Sequence, residues 1–241
     1  MVHELNFKVS PEQMDRFGRL KMSALLYFAQ EAAGVHAATL GAGWDALQEK
    51  KLFWAVIRTR AEILHHPHAG EEIILKTWPM PTSRTAYPRC VMGYSKDGTL
   101  LFKLVSLWVL MDVDTRAMVL PGKSGVEVIG SVEGGEPAQP KGLPVTEQEH
   151  TCYKTVEQGH LDKNGHMNNT RYMDWVMELA GEKAVESMEL CYFNEGRLGN
   201  QMEVSYTLTE ETLSVNIHRT GTDADAAKDR IFAALLRFSV N

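Results

Sequence analysis

Apolar and polar residues alternate along residues 3–9 (His-Glu-Leu-Asn-Phe-Lys-Val), and a period of two predicts a strand. From Met22 to about Leu40 the period lengthens. Met22, Leu25, Leu26, Ala29, Ala32, Ala33 and Val35 recur at helical spacing, and Gly41-Ala42-Gly43 predicts where the helix stops. The small residues Ala29, Ala32, Ala33 and Gly34 suit a helix pressed closely on a sheet. Strand patterns follow at 53–64, 72–80, 86–94 and 100–113, rich in β-branched and aromatic residues. Lys96-Asp97-Gly98-Thr99 predicts a hairpin turn and Asp112-Val113-Asp114-Thr115 a second one. The near-continuous apolar run 100–111 predicts a central strand. Residues 121–148 are punctuated by Pro and Gly and read as an interdomain connection. The pattern then restarts, with a strand at 150–156, a helix at 168–186, strands at 187–194, 201–208, 211–219 and 229–240, and a turn at 221–227.

That restart is a repeat. Shifted by 147, residues 3–37 align with 150–184 without gaps. His3/His150, Val9/Val156, Asp15/Asp162, Gly18/Gly165, Glu31/Glu178, Ala33/Ala180, Gly34/Gly181 and Ala37/Ala184 are identical, where chance gives roughly two matches. Each half thus predicts a strand, a long helix and about four antiparallel strands. The expected fold class is α+β, a tandem (double) hotdog in which each long helix is wrapped by a curled antiparallel sheet. The expected domains are 1–120, a linker at 121–148, and 149–241, the two hotdogs pairing within one chain.

Composition narrows the function classes. The chain has 241 residues, 44% hydrophobic and 23% charged, which is ordinary for a globular protein. A net charge of −6 argues against nucleic-acid binding. No apolar run approaches a membrane span and no leader-like segment precedes His3, so a cytoplasmic protein with no membrane association is expected. Cys90, Cys152 and Cys191 form a sparse, odd set without metal-ligand spacing, which fits reduced thiols. His65, His66 and His68 are interrupted by Pro67 and read as a turn rather than a metal site, so neither metal nor cofactor is expected.

Candidate chemistry concentrates where the two copies differ. The second copy carries Asp162-x-Asn164-x-His166; the first has Phe17 opposite Asn164 and Arg19 opposite His166. A carboxylate, an amide and an imidazole in one short run could polarise a carbonyl and move a proton. Asn168 or Asn169 would cap the helix that follows, and a backbone N–H near Gly165–His166 would complete an oxyanion hole.

Several segments together resemble the bacterial acyl-acyl-carrier-protein (acyl-ACP) thioesterases, relatives of the plant plastid enzymes. They are Asp162-x-Asn164-x-His166-x-Asn168-Asn169-x-x-Tyr172-x-x-Trp175, Lys76-Thr77-Trp78-Pro79, the run Ser106-Leu107-Trp108-Val109-Leu110-Met111-Asp112, and the run from Tyr192 to Asn200. The resemblance implies hydrolysis of a fatty acyl thioester on acyl carrier protein, with Asp162, Asn164, His166 and Glu195 as the catalytic set. It also implies that the first hotdog shapes the acyl pocket, for which Met22, Leu26, Trp54 and Trp108 are the candidates, and that acyl carrier protein is the partner. Arg16, Arg19, Lys21, Arg58, Arg60, Arg84 and Arg89 would offer the acidic carrier a basic patch. Plant members often carry Cys directly after the Glu; here that position is Gly196, which argues against a thiol acyl-enzyme. Acyl-coenzyme A hydrolysis, a hotdog dehydratase and a non-catalytic acyl-thioester binding hotdog are the alternatives, and pairing into a homodimer stays open.

Overall fold

The computed structural model of the chain describes residues 1–221 and 230–239. The turn expected at 221–227 lies, from residue 222 on, outside the described residues. The chain divides into two compact units, Met1–Pro140 and Lys141–Asn241.

In the first unit, β1 (His3–Lys8) precedes α1 (Met22–Thr39) and the short α2 (Trp44–Glu49). The strands β2 (Leu52–Ile63), β3 (Glu72–Pro79), β4 (Tyr87–Ser95) and β5 (Leu100–Asp112) follow, then β6 (Met118–Val119) and α3 (Pro121–Ser124). The strands pair antiparallel in the order β1-β3-β4-β5-β2, with β6 on β5. The apolar run of β5 is therefore flanked on both sides, as its composition predicts. The tight turn after β4 is built as its residues require. Ser95 N donates to Thr99 O at 2.9 Å, the Asp97 carboxylate accepts from Thr99 N, and Gly98 takes a φ of +89°.

Helix α1 buries Leu25, Leu26, Phe28, Ala29, Ala32 and Ala33 and packs on β1, β3 and β4. Ala32 is fully buried, so the small face does bring helix and sheet close. Helix α2 was not foreseen: its six residues are too few for a period to show. Residues 121–140, read as connection, lie within the first unit. Tyr87 Oη lies 2.8 Å from Ser124 Oγ, Ser131 N donates to Pro79 O, and Trp78 Nε1 donates to Glu136. A Cβ at Gly130 would stand 2.1 Å from Met80 O, so only glycine lets the chain pass there.

In the second unit, β7 (His150–Thr155) precedes α4 (Tyr172–Ala180) and the strands β8 (Val185–Tyr192), β9 (Gln201–Leu208), β10 (Thr212–Arg219) and β11 (Arg230–Phe238). Their antiparallel order is β8-β11-β10-β9-β7. The helix expected over 168–186 is shorter than its counterpart. Residues 169–171 form a 3₁₀ turn, and Gly181, at φ +64°, ends α4 after Ala180. The segment from Val185 then joins the sheet as β8. Tyr172 fixes α4 to that sheet, stacking on Phe232 of β11 at 5.1 Å and approaching Tyr192 of β8 edge-on. Each unit is a helix laid on an antiparallel sheet, an α+β hotdog.

Candidate active site

The D-x-N-x-H run is a closed loop. Its ends meet in an antiparallel bridge between Leu161 and Met167. Inside, Asp162 N donates to His166 O at 2.8 Å and Gly165 N to Asp162 O at 3.1 Å, with Gly165 at φ +77°. Asp162 Oδ1 accepts from the N–H groups of Asn164 (2.8 Å) and His166 (3.1 Å). Asp162 therefore has two roles on its two oxygens. Oδ1 holds the turn, as Asp commonly does, while Oδ2 hydrogen-bonds no described residue.

A second segment is strapped to this loop. Leu198 and its neighbours run exposed between β8 and β9, and the backbone bridges His166 to Arg197, with Met167 N donating to Gly196 O at 2.8 Å. That register brings His166 Nε2 to 3.3 Å from Glu195 Oε2. The imidazole is mostly covered and the carboxylate about half open, which suits a pair at a solvent-accessible site. Asn164 is exposed, and its side-chain amide hydrogen-bonds no described residue. The four expected catalytic residues thus stand on two adjoining loops of one unit.

Two expectations need correcting. The N–H groups of Gly165 and His166 are both occupied inside the loop, so they offer no oxyanion hole. The helix expected from residue 168 also begins later: α4 starts at Tyr172, and the Asn168 side chain accepts from Thr170 N at 3.0 Å and caps the 3₁₀ turn that leads into it. Of the two capping candidates it is Asn168 that serves.

Gly196 is buried beneath the pair. Its N–H donates to Tyr172 Oη at 3.2 Å, and a Cβ at this position would lie 2.8 Å from that hydroxyl and 3.0 Å from Met202 Cε. The tyrosine fills the space a cysteine would need. Burial raises the Tyr172 phenol well above its ordinary pKa, so it stays a neutral hydrogen-bonding group.

The pocket candidates separate. A cavity of about 500 Å³ opens in the first unit between α1, α2 and the sheet, lined by Trp54, Trp108, Tyr87, Leu47, Ala37 and Arg89 among others. Trp54 and Trp108 face it, each with its indole N–H satisfied, by Ala42 O at 2.8 Å and by Ser106 Oγ at 2.7 Å. Met22 and Leu26 are core residues and do not line it. The basic residues separate too. Arg16, Lys21 and Arg84 are exposed, whereas Arg19 pairs with Asp15, Arg60 with Glu62, and Arg89 is buried and unavailable to a docking surface. Arg89 in a buried, cavity-lining position is what sequence reasoning missed. An Arg within an apolar strand, Tyr-Pro-Arg-Cys-Val-Met, was the available signal.

Among the described residues no helix is long and apolar enough to cross a membrane. Residues 1–120 match the family model of the acyl-ACP thioesterase N-terminal domain, and residues 144–231 match that of the C-terminal domain. A chloroplastic palmitoyl-acyl carrier protein thioesterase of Gossypium hirsutum is 28% identical over 208 residues, 79% of this chain and 50% of that protein. A chloroplastic oleoyl-acyl carrier protein thioesterase of Arabidopsis thaliana is 25% identical over 241 residues, 87% of this chain and 64% of that protein. The chain spans about half the length of most of the curated relatives it matches. Among solved structures, an acyl-ACP thioesterase from Bacteroides thetaiotaomicron superposes with a TM-score of 0.87 at 24% identity, covering 99% of this chain and 98% of that one. The 12:0-ACP thioesterase from Umbellularia californica does so at 0.80 and 20% identity, covering 99% and 97%. These two likenesses establish the fold.

Proposed function

The chain belongs to the acyl-ACP thioesterase family, and from that premise we propose that it hydrolyses the thioester of a fatty acyl chain on acyl carrier protein. The products are the free fatty acid and the carrier thiol, so the reaction ends chain elongation. The observation that carries the reading is the strapping of the Glu195 segment onto the Asp162–His166 loop, which sets an imidazole–carboxylate pair beside a carboxylate with one open oxygen.

In this reading Asp162 Oδ2 takes the proton of a water as its oxygen adds to the thioester carbonyl. Because Oδ1 is pinned by two N–H groups, Oδ2 has a fixed direction, which favours positioning water over the larger excursion an acyl-aspartyl anhydride needs. With the loop N–H groups occupied, the Asn164 amide is the donor left to hold the developing oxyanion. His166, oriented by Glu195, relays the proton that Asp162 took from the water to the sulfur as the C–S bond breaks, which returns both groups to their starting state. Water thus supplies the hydroxyl of the acid and the hydrogen of the thiol. The first unit holds the acyl chain and the second carries the chemistry. The partner is acyl carrier protein, in a cytoplasm that keeps Cys90, Cys152 and Cys191 reduced.

The test is free-thiol release from a panel of acyl-ACPs and the matching acyl-CoAs, by the wild type and Asp162→Ala. Turnover of the carrier substrates, lost in the variant, is expected. Faster turnover of the CoA esters would overturn the partner, and no turnover of either class would overturn the reaction.

A further inference from the structure

The cavity of the first unit contains a group that a plain hydrocarbon chain does not need. Arg89 lines it and is 7% exposed. Its Nη1 donates to His36 Nδ1 at 3.1 Å and to Thr77 Oγ1 at 3.2 Å. Both partners are neutral. Thr77 passes its own hydrogen on to Cys90 O at 2.9 Å, and His36 is stacked flat on His3 at 5.0 Å with its pKa lowered to about 4, first by burial and then by the neighbouring guanidinium. These contacts aim the guanidinium without neutralising it. No carboxylate of the described residues pairs with Arg89, and its remaining donors, on Nε and Nη2, hydrogen-bond none of them. Glu31 and Asp45 also line the cavity, but both are exposed to solvent, whereas the arginine is not. Around it the walls are Trp54, Tyr87, Trp108, Leu47 and Ala37. A charge kept in apolar surroundings without a counter-ion is costly, and a guanidinium with a free planar edge can donate one N–H to each oxygen of a carboxylate.

We propose that this cavity binds an apolar chain ending in a carboxylate, and that Arg89 is the residue that engages that end. Two sources share this chemistry. One is a free fatty acid, the product class of the proposed hydrolysis, which would then regulate turnover by occupying the acyl pocket. The other is a thioester-linked chain bearing a carboxylate at its far end, which would make Arg89 a specificity residue. The binding step itself stands on the cavity alone; only the assignment of source rests on the proposed reaction.

Quenching of tryptophan fluorescence, with Trp54 and Trp108 in the cavity wall, reads binding without turnover. Dodecanoate is expected to bind roughly 10- to 100-fold tighter than its methyl ester, as a charge-assisted hydrogen-bond pair implies. In Arg89→Met the ratio is expected to fall to near one while the ester still binds, which also shows that the variant is folded. Equal binding of acid and ester by the wild type would overturn the proposal, whatever becomes of the variant, and so would a ratio that Arg89→Met leaves unchanged. Thiol release then separates the sources. Faster wild-type turnover of a carboxyl-ended than of a methyl-ended thioester, lost in Arg89→Met, assigns the far end of the chain. Competitive inhibition by dodecanoate without such a preference assigns the free acid. Failure of all turnover with the acid/ester ratio intact would sink the proposed reaction and leave the anion site standing.

Discussion

The loops Asp15–Arg19 and Asp162–His166 share one backbone and differ in what it presents. In both, the Asp Oδ1 accepts from the N–H groups two and four residues on, the Asp N–H returns to the carbonyl of the fifth residue, and a glycine takes a φ near +76°. The exit is also repeated. Lys21 N donates to Gln13 O and Asn168 N to His160 O, each at 2.9 Å. In the first loop Arg19 folds back, and its Nε meets Asp15 Oδ2 at 3.1 Å. The guanidinium groups of Arg16 and Arg19 both lie over the Phe17 ring, at 4.7 and 4.8 Å from its centre. In the second, His166 turns to Glu195 and leaves Asp162 Oδ2 open. The residue matching Glu195 in the first unit is His66, since Gly70 N donates to Val9 O just as Gly199 N donates to Val156 O. The loop is one scaffold in both copies, and what differs is whether its last residue pairs with the aspartate, as Arg19 does, or turns to another loop, as His166 does.

The sharpest way to break this comparison is to change the same atom in both loops. Asn keeps an Oδ1 acceptor, so Asp162→Asn preserves the turn and removes only the charge on the other oxygen. Turnover is expected to fall by about 10²–10⁴-fold, with the thermal midpoint nearly unmoved. Asp15→Asn loses the partly exposed pair with Arg19, which costs at most about 1 kcal/mol and leaves turnover intact. Equal kinetic losses in the two variants, read by thiol release and thermal melts, would mean that the first loop also serves the reaction.

Converting one loop into the other is the next test. His166→Arg should recreate the Arg19–Asp15 contact, tying Asp162 Oδ2 to a guanidinium. Activity is expected to drop by about 10²–10³-fold in a protein that still folds. If His166→Arg retains activity, His166 and a free Oδ2 are both dispensable and the proposed roles are wrong.

Much of this was legible because it is local. The period change at Met22 and the turn residues 96–99 dictate structure within a few positions, and α1 and the expected strands stand within a residue or two of where the pattern puts them, whereas α4 is shorter at both ends and α2, β6 and α3 left no readable pattern. The identity of Asp15 and Asp162 marked a repeated loop for the same reason. What could not be read depends on contacts distant in sequence. Whether Gly165 N–H is open depends on where the loop closes, and whether Met22 or Trp54 meets the cavity depends on side-chain direction rather than on apolarity. Helix α4 stops early because Gly181 adopts a left-handed conformation, although the identical pair Gly34/Gly181 suggested equivalence; Gly34 lies in mid-helix. Arg89 could be counted as a surface charge only while its strand neighbours were unknown.

Position 36 and its repeat partner 183 make the third test, one of stability and the smallest in effect. Lys183 is partly exposed and its Nζ donates to Glu210 O, so it answers to solvent. His36 is 1% exposed, stacked on His3 and bonded to Arg89. Burial, then Arg89, then His3 lower its pKa from 6.5 to about 4. Between these values the unfolded chain binds a proton that the folded chain refuses. Stability therefore rises with pH across that window and is lost as the pH falls from about 6.5 toward 4, by about 2–3 kcal/mol for a shift of this size. His36→Gln retains an acceptor for Arg89 but has no proton to take up. Denaturant midpoints measured from pH 4 to 8.5 should fall more steeply on acidification in the wild type than in His36→Gln, and the two should run parallel above about pH 7. Parallel curves throughout would show that the buried histidine accepts its proton in the folded state, and that the first unit tolerates a second positive charge beside Arg89.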